Sequence, residues 1–254
     1  MDLGLRGRLA LVTGASSGIG RACALALAAE GARLALGARR LDLLEAAAAT
    51  ARAAGSPDAQ AYALDLADPD SINAMLAAMR DRQGDADILI ANSGPPKAGM
   101  VANLSLSDWD AAYGPTMRSM LQCVYAVLPA MRERGWGRIV NLSSSAVKTP
   151  IPNLALSNAF RAGLLGALKT LSREVAGDGV TINVIATGKI ETDRSRAFYA
   201  APGAWEKQQG EIPFGRFGKP EEFAPLVGFL CGEGASYISG TTLSIDGGLA
   251  PNLT

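Results

Sequence analysis

The chain has 254 residues, 48% hydrophobic and 19% charged, with 24 basic and 24 acidic side chains in balance. That composition supplies a sizeable core and excludes a disordered chain, and without a basic excess or stripe no nucleic-acid partner is expected. There is no His, which rules out a His triad, a His metal site and a His general base, and Cys23, Cys123 and Cys231 lack the spacing of a zinc or disulfide framework.

In chain order, the short apolar run Arg8–Thr13, closed by glycines, predicts a buried strand. Gly18–Glu30 is rich in Ala and Leu and is followed by Gly31, so it reads as a helix with a C-terminal stop. Arg33–Ala38 is the second strand, and Leu41–Ala54 a helix ended by Gly55. Strand Gln60–Asp65 leads to a helix over Pro69–Gln83, with Asp68 as cap and Pro69 in the first turn, where Pro is tolerated. Ala86–Ala91 is a strand, Ser107–Arg134 one long helix, Arg138–Leu142 a strand, and Pro152–Ala176 contains a second long helix. Strand Val180–Ile185, helix Glu221–Leu230 and strand Thr241–Asp246 complete the chain. Thr187–Pro213 is the least regular stretch and reads as a mobile lid. This alternation specifies an α/β doubly wound parallel sheet of about seven strands, with helices on both faces, in one domain over residues 1–254. No run approaches a membrane span of ~20 apolar residues, and Met1–Arg8 has no signal layout, so a cytoplasmic protein with buried, reduced thiols is expected.

Thr13-Gly14-Ala15-Ser16-Ser17-Gly18-Ile19-Gly20 joins the first strand to the first helix. Glycines at that junction permit a tight turn, let backbone approach a pyrophosphate, and let helix and strand pack closely. The helix start adds free N–H groups and a positive dipole end. Gly14, Ser16, Ser17, Gly18, Ile19 and Gly20 are therefore candidate dinucleotide-binding residues. An acidic residue ending the second strand would bond the ribose 2′-OH of NAD, but Ala38 is followed by Arg39 and Arg40. A small residue and a guanidinium suit a 2′-phosphate, so NADP(H) is favoured, with Arg39 as its ligand and NAD(H) as the alternative. A methyltransferase or a phosphate-loop enzyme is the weakest reading, because no GxxxxGK(S/T) run occupies the first turn.

Taken together, these motifs resemble the short-chain dehydrogenase/reductase family, near its 3-oxoacyl-acyl-carrier-protein reductase branch. The glycine turn looks like its signature, and Asp65-Leu66 like the pair that contacts the adenine ring. Asn92-Ser93-Gly94 resembles the Asn-Ala-Gly that stabilises the central strand and borders the cofactor. Gly137–Ser144 resembles the strand carrying the catalytic Ser, and Asp246-Gly247-Gly248 the C-terminal signature. The resemblance implies a Rossmann fold, hydride transfer between NADP(H) and a carbonyl or alcohol substrate of which a 3-oxoacyl group is one candidate, and a homotetramer or homodimer.

At the active site the family pattern breaks. The family uses a Tyr as proton donor, a Lys four residues later that lowers the Tyr pKa and holds the nicotinamide ribose, a Ser for the substrate oxygen, and an Asn in a proton relay. The Ser falls on Ser144, but the Tyr, Lys and Asn positions hold Ser157, Arg161 and Thr116. The Pro-Gly that receives the nicotinamide carboxamide appears as Thr187-Gly188, and Gly188 and Ile190 are expected at the cofactor. Ser157 and Arg161 keep the i, i+4 spacing of one helix face, yet Arg cannot relay a proton as Lys can. Two readings follow. Hydride transfer persists, with Ser144 and Ser157 polarising a carbonyl and water, Lys148, Tyr199 or Lys97 handling the proton; or the chain binds NADP(H) as a sensing or regulatory protein and catalyses nothing. In the stretch after the sixth strand, Phe198, Tyr199, Trp205 and Ile212, with Arg194, Arg196 and Lys207, suit an apolar acyl chain or a ring carrying a carboxylate.

Overall fold

A computed structural model describes residues 2–252. Seven strands form one sheet: β1 (Leu9–Thr13), β2 (Arg33–Ala38), β3 (Ala59–Ala63), β4 (Ile88–Asn92), β5 (Gly137–Leu142), β6 (Val180–Thr187) and β7 (Thr242–Ile245). Their order is β3-β2-β1-β4-β5-β6-β7, and all neighbouring pairs are parallel. Strands covered on both faces read as continuous apolar runs, and β1 is buried at every residue. Chain direction across the sheet reverses between β1 and β4. In a doubly wound sheet that point opens a crevice at the strands' C-terminal ends.

The helices are α1 (Gly18–Ala29), α2 (Leu41–Ala53), α3 (Pro69–Gln83), α4 (Leu106–Tyr113), α5 (Ser119–Glu133), α6 (Ala155–Glu174), α7 (Asp193–Phe198), α8 (Ala204–Gly210) and α9 (Pro220–Cys231). On one face Leu27, Leu44 and Phe223 of α1, α2 and α9 cover Val12 and Ile90. On the other, Met79, Val124 and Leu164 of α3, α5 and α6 cover Leu11 and Leu89. Asp68 caps α3 by accepting from the Asp70 amide, with Pro69 in the first turn as expected. All three cysteines are free and buried, and burial pushes the Cys123 and Cys231 thiols up to about 12. They are inert at neutral pH.

Two regions depart from the sequence expectation. The single helix expected over Ser107–Arg134 is instead α4, a π-helical turn at Gly114–Arg118, and α5. Pro115 has no N–H to donate to the preceding turn, and the chain accommodates it by widening there. The stretch Thr187–Pro213 is not irregular throughout, because α7 and α8 lie in it, the first opened by a Thr192–Ser195 capping box. Among the described residues, no helix is long and apolar enough to cross a membrane.

Candidate functional site

The turn between β1 and α1 sits at the crevice. Gly18 has φ +55°, a left-handed conformation that L side chains rarely adopt. At Gly20 a Cβ would lie 2.3 Å from the Gly14 carbonyl oxygen and 2.9 Å from Asn92 Nδ2, so only glycine fits. The turn is tied to β4. Thr13 Oγ1 donates to the Asn92 carbonyl (2.7 Å) and accepts from the Asn92 amide (2.8 Å). Asn141 Nδ2 in turn donates to the Ala91 carbonyl (3.0 Å). Ser17 opens α1 without a side-chain cap, which leaves the first amides of the helix, at Gly18, Ile19 and Gly20, free for an anion.

Beyond β2 the structure adds a residue to the sequence reading. Arg40, not Arg39, reaches back to the turn, donating to Ser17 Oγ (2.8 Å) and Ser16 Oγ (3.3 Å). Arg39 is exposed and stands clear of both hydroxyls. Asp65 holds its own loop, accepting from the Ala67 amide at 2.9 Å. Leu66 packs against the core beside α3.

Ser144 lies two residues beyond β5 and caps a short 3-10 turn, its Oγ accepting from the Ala146 amide at 3.1 Å. Ser157 and Arg161 lie on the inner face of α6 and are 4% and 6% exposed. The Arg161 guanidinium reaches the ends of β4 and β5, donating to the carbonyls of Leu142, Ser93 and Gly94 at 3.4 Å each. Its Nε is buried without a partner. Burial, and Arg194 nearby, pull this guanidinium down to about 10. Thr116 lies on the π turn that packs against α6, and its hydroxyl is buried without a partner. The site thus offers aliphatic hydroxyls and a cation, where the family resemblance implies a phenol and an ammonium.

Two of the alternative proton donors, Lys97 and Tyr199, are engaged elsewhere. Lys97 pairs with Asp108 at 2.8 Å. Lys148 lines an open hollow of about 820 Å³ between α6 and β7, with Lys169 and Asp246, away from the glycine turn. Tyr199 packs among Phe198, Trp205 and Phe217, with ring centroids 4.9, 6.5 and 6.0 Å away. Burial and the Glu211 charge push its phenol up, which makes it a weaker acid. Trp205 stacks on Phe217 at 3.8 Å, so these aromatics form a packed cluster.

The segment after β6 runs back over the glycine turn. The Gly188 amide donates to the Ile245 carbonyl (2.9 Å), and the Thr192 methyl lies 3.1 Å from where a Cβ on Gly18 would sit. Ile190 corrects the sequence expectation in part. Its side chain is buried in the core and bridges to Gly218, so only its backbone can face a ligand. Among the described residues, no cluster of Cys, Asp and Glu could hold a metal.

Comparison with known proteins gives consistent matches. The family profile described as enoyl-(acyl carrier protein) reductase matches residues 14–250. The chain is 36% identical over 247 residues to the 3-oxoacyl-(acyl-carrier-protein) reductase FabG of Escherichia coli, covering 97% of this chain and 99% of that one. L-sorbose reductase from Gluconobacter frateurii, solved with NADPH and L-sorbose, superposes with a TM-score of 0.93 at 31% identity over 100% of both chains. A variant of actinorhodin polyketide ketoreductase solved with NADPH gives 0.90 at 33% identity, over 97% of this chain and 98% of that one.

Proposed function

The chain belongs to the short-chain dehydrogenase/reductase family, as an oxidoreductase similar to 3-oxoacyl-acyl-carrier-protein reductases, and on that premise we propose that it transfers hydride between NADP(H) and a carbonyl or alcohol substrate with an atypical proton-transfer apparatus. The observation that carries this reading is the glycine turn itself. A Cβ would fill the cradle at Gly20, free amides open α1, and Arg39 and Arg40 follow β2. These residues fit a phosphate-bearing dinucleotide, and the NADPH in two structural neighbours supports the same choice.

In this reading Gly14, Ser16, Ser17, Gly18, Ile19 and Gly20 hold the diphosphate. Arg39 takes the 2′-phosphate, with Arg40 bracing the serines of the turn. Asp65 and Leu66 border the adenine, and Asn92, Ser93 and Gly94 flank the nicotinamide end with Arg161, Gly188 and the Ile190 backbone. Bound NADPH supplies the hydride. Ser144 and Ser157 donate hydrogen bonds to the substrate oxygen, and the Arg161 charge stabilises the negative charge that develops there. An aliphatic hydroxyl is a far weaker acid than a phenol of pKa ~10, so water carries the proton to that oxygen. Losing one acid–base group costs ~10²–10⁴-fold in rate, which leaves a slow enzyme rather than none. The segment at 187–213 acts as the substrate lid of a single domain, and the chain assembles as a cytoplasmic homotetramer or homodimer.

A second reading is NADP(H) binding without turnover. Its support is that Lys97 and Tyr199 are both occupied away from Ser144. NADPH oxidation measured against a panel of ketones and 3-oxoacyl thioesters separates the two. The enzyme reading expects slow turnover on at least one of them. It also expects the paired change Ser157→Tyr with Arg161→Lys to raise ketone activity by about tenfold or more. NADPH binding with no turnover in either protein would favour the sensing role.

A further inference from the structure

Arg194, on the first turn of α7, is expected from the sequence only beside a substrate, and the structure places it nearer the cofactor crevice. Its Nη1 lies 3.3 Å from where a Cβ on Gly94 would sit. Arg161 approaches the same Gly94, with Nη2 3.4 Å from its carbonyl oxygen. Two guanidiniums therefore meet at one backbone residue, and among the described residues neither pairs with a carboxylate. α7 itself is carried over the glycine turn by Thr192, which packs on Gly18. Partial burial and the charge of Arg39 both pull the Arg194 guanidinium below its usual range. Arg194 thus shares Gly94 with Arg161, on α6, and feels the charge of Arg39, at the end of β2, and none of the three has a carboxylate partner among the described residues. Like charges gathered without acids destabilise the empty protein and favour an anion of matching length.

We propose that Arg194 is a diphosphate-binding residue: α7 lays its guanidinium over the crevice, opposite the amides of α1, where it closes on the negative bridge of a bound dinucleotide. This rests on the reading above that the crevice holds NADP(H). The fork of a guanidinium suits a bridging diphosphate, which offers paired oxygens to parallel N–H donors. The adjacent Arg196 is not equivalent, because it pairs with Glu191 and lies over the Trp205 ring at 4.8 Å. A role for Arg194 on a substrate carboxylate beside Gly94 would leave cofactor affinity untouched, which the titration below distinguishes.

The test is calorimetric titration of the whole protein with NADP⁺ and with NAD⁺, which share the diphosphate and differ in the 2′-phosphate. Arg194→Gln is expected to weaken both by the same factor, about tenfold to a hundredfold, the range for hydrogen bonds to charged groups. Arg39→Gln is expected to weaken NADP⁺ alone. Arg194→Lys, which keeps a point charge and loses the fork, should fall between wild type and Arg194→Gln. In the phosphorus NMR spectrum of bound NADP⁺, Arg194→Gln should move the diphosphate resonances and leave the 2′-phosphate resonance in place. Unchanged affinity for both dinucleotides in a folded Arg194→Gln protein would overturn the assignment while the cofactor reading stands. If wild-type protein bound neither nucleotide, the cofactor reading and this inference would fall together.

Discussion

At the N-terminal edge of the sheet, cations are matched. Arg8 and Arg134 meet Asp87 at 3.7 and 3.2 Å, Arg33 meets Asp58 at 3.4 Å, and the buried Arg138 meets Glu233 at 3.9 Å. The guanidiniums of Arg8 and Arg138 also lie over the Trp136 ring, 3.8 and 4.3 Å from its centroid. At the C-terminal edge, around the glycine turn, Arg39, Arg40, Arg161 and Arg194 have no carboxylate partner among the described residues. One residue type therefore serves two ends. Below, its charge is neutralised within the protein and contributes to the fold. Above, Arg39, Arg40, Arg161 and Arg194 are left for an anion that arrives from solution.

If that contrast holds, substitutions at the two edges should separate stability from nucleotide affinity. The largest effect is expected at the lower edge. Arg138→Ala removes a side chain that is 2% exposed, together with its contact to Trp136, and should cost about 3 kcal/mol of unfolding free energy. A lower denaturant midpoint with unchanged nucleotide affinity is the expected pattern, and loss of affinity would blur the two edges. Next is Gly20→Val. Its side chain would collide with the Gly14 carbonyl 2.3 Å from the Cβ, so the turn must open, and nucleotide affinity should fall by about a hundredfold. Calorimetry on folded protein reads this directly.

A smaller and more pointed effect concerns Arg161→Met. Replacing a buried, unpaired cation by an apolar side chain of similar length should leave the fold as stable as before, or about 1 kcal/mol more so, and weaken nucleotide binding. If this variant unfolded as easily as Arg138→Ala, the upper charges would be structural and the contrast would be wrong.

The smallest effect is a pH dependence at the lower edge. Burial raises the Asp58 carboxyl, but hydrogen bonds from Gln60, Gln83 and Arg33 outweigh it and hold the group below its ordinary value of 3.8. A carboxyl depressed in the folded state binds fewer protons there than when unfolded. It therefore adds stability above about pH 4, which is lost as the pH falls through the folded value. Asp58→Asn should flatten that part of the acid-unfolding profile. An unaltered slope would mean that other carboxyls carry it.

The strands were legible because burial on both faces writes each as an apolar run bounded by turn residues, as at Leu9–Thr13 and Ile88–Asn92. The glycine turn was legible because its spacing carries its own mechanism at a strand–helix junction. The break at Gly114–Arg118 was marked only by Pro115, in a pattern otherwise helical on both sides. Arg40 was overshadowed by Arg39, since sequence does not say which of two adjacent side chains turns back toward Ser16 and Ser17. Arg194 was visible only as one cation in a mixed stretch. Its meeting with Arg161 at Gly94 joins three segments distant in the chain, which no local pattern encodes. Ile190 looked accessible next to Gly188, but its bridge to Gly218 turns the side chain into the core.

The most direct test of the account is competition between NADPH and NADH for the wild-type protein, followed by calorimetry at low and at high salt. One site per chain, tighter for NADPH, with an advantage that shrinks as salt screens the exposed Arg39, is the predicted result. No heat of binding for either nucleotide, or a preference for NADH, would contradict it.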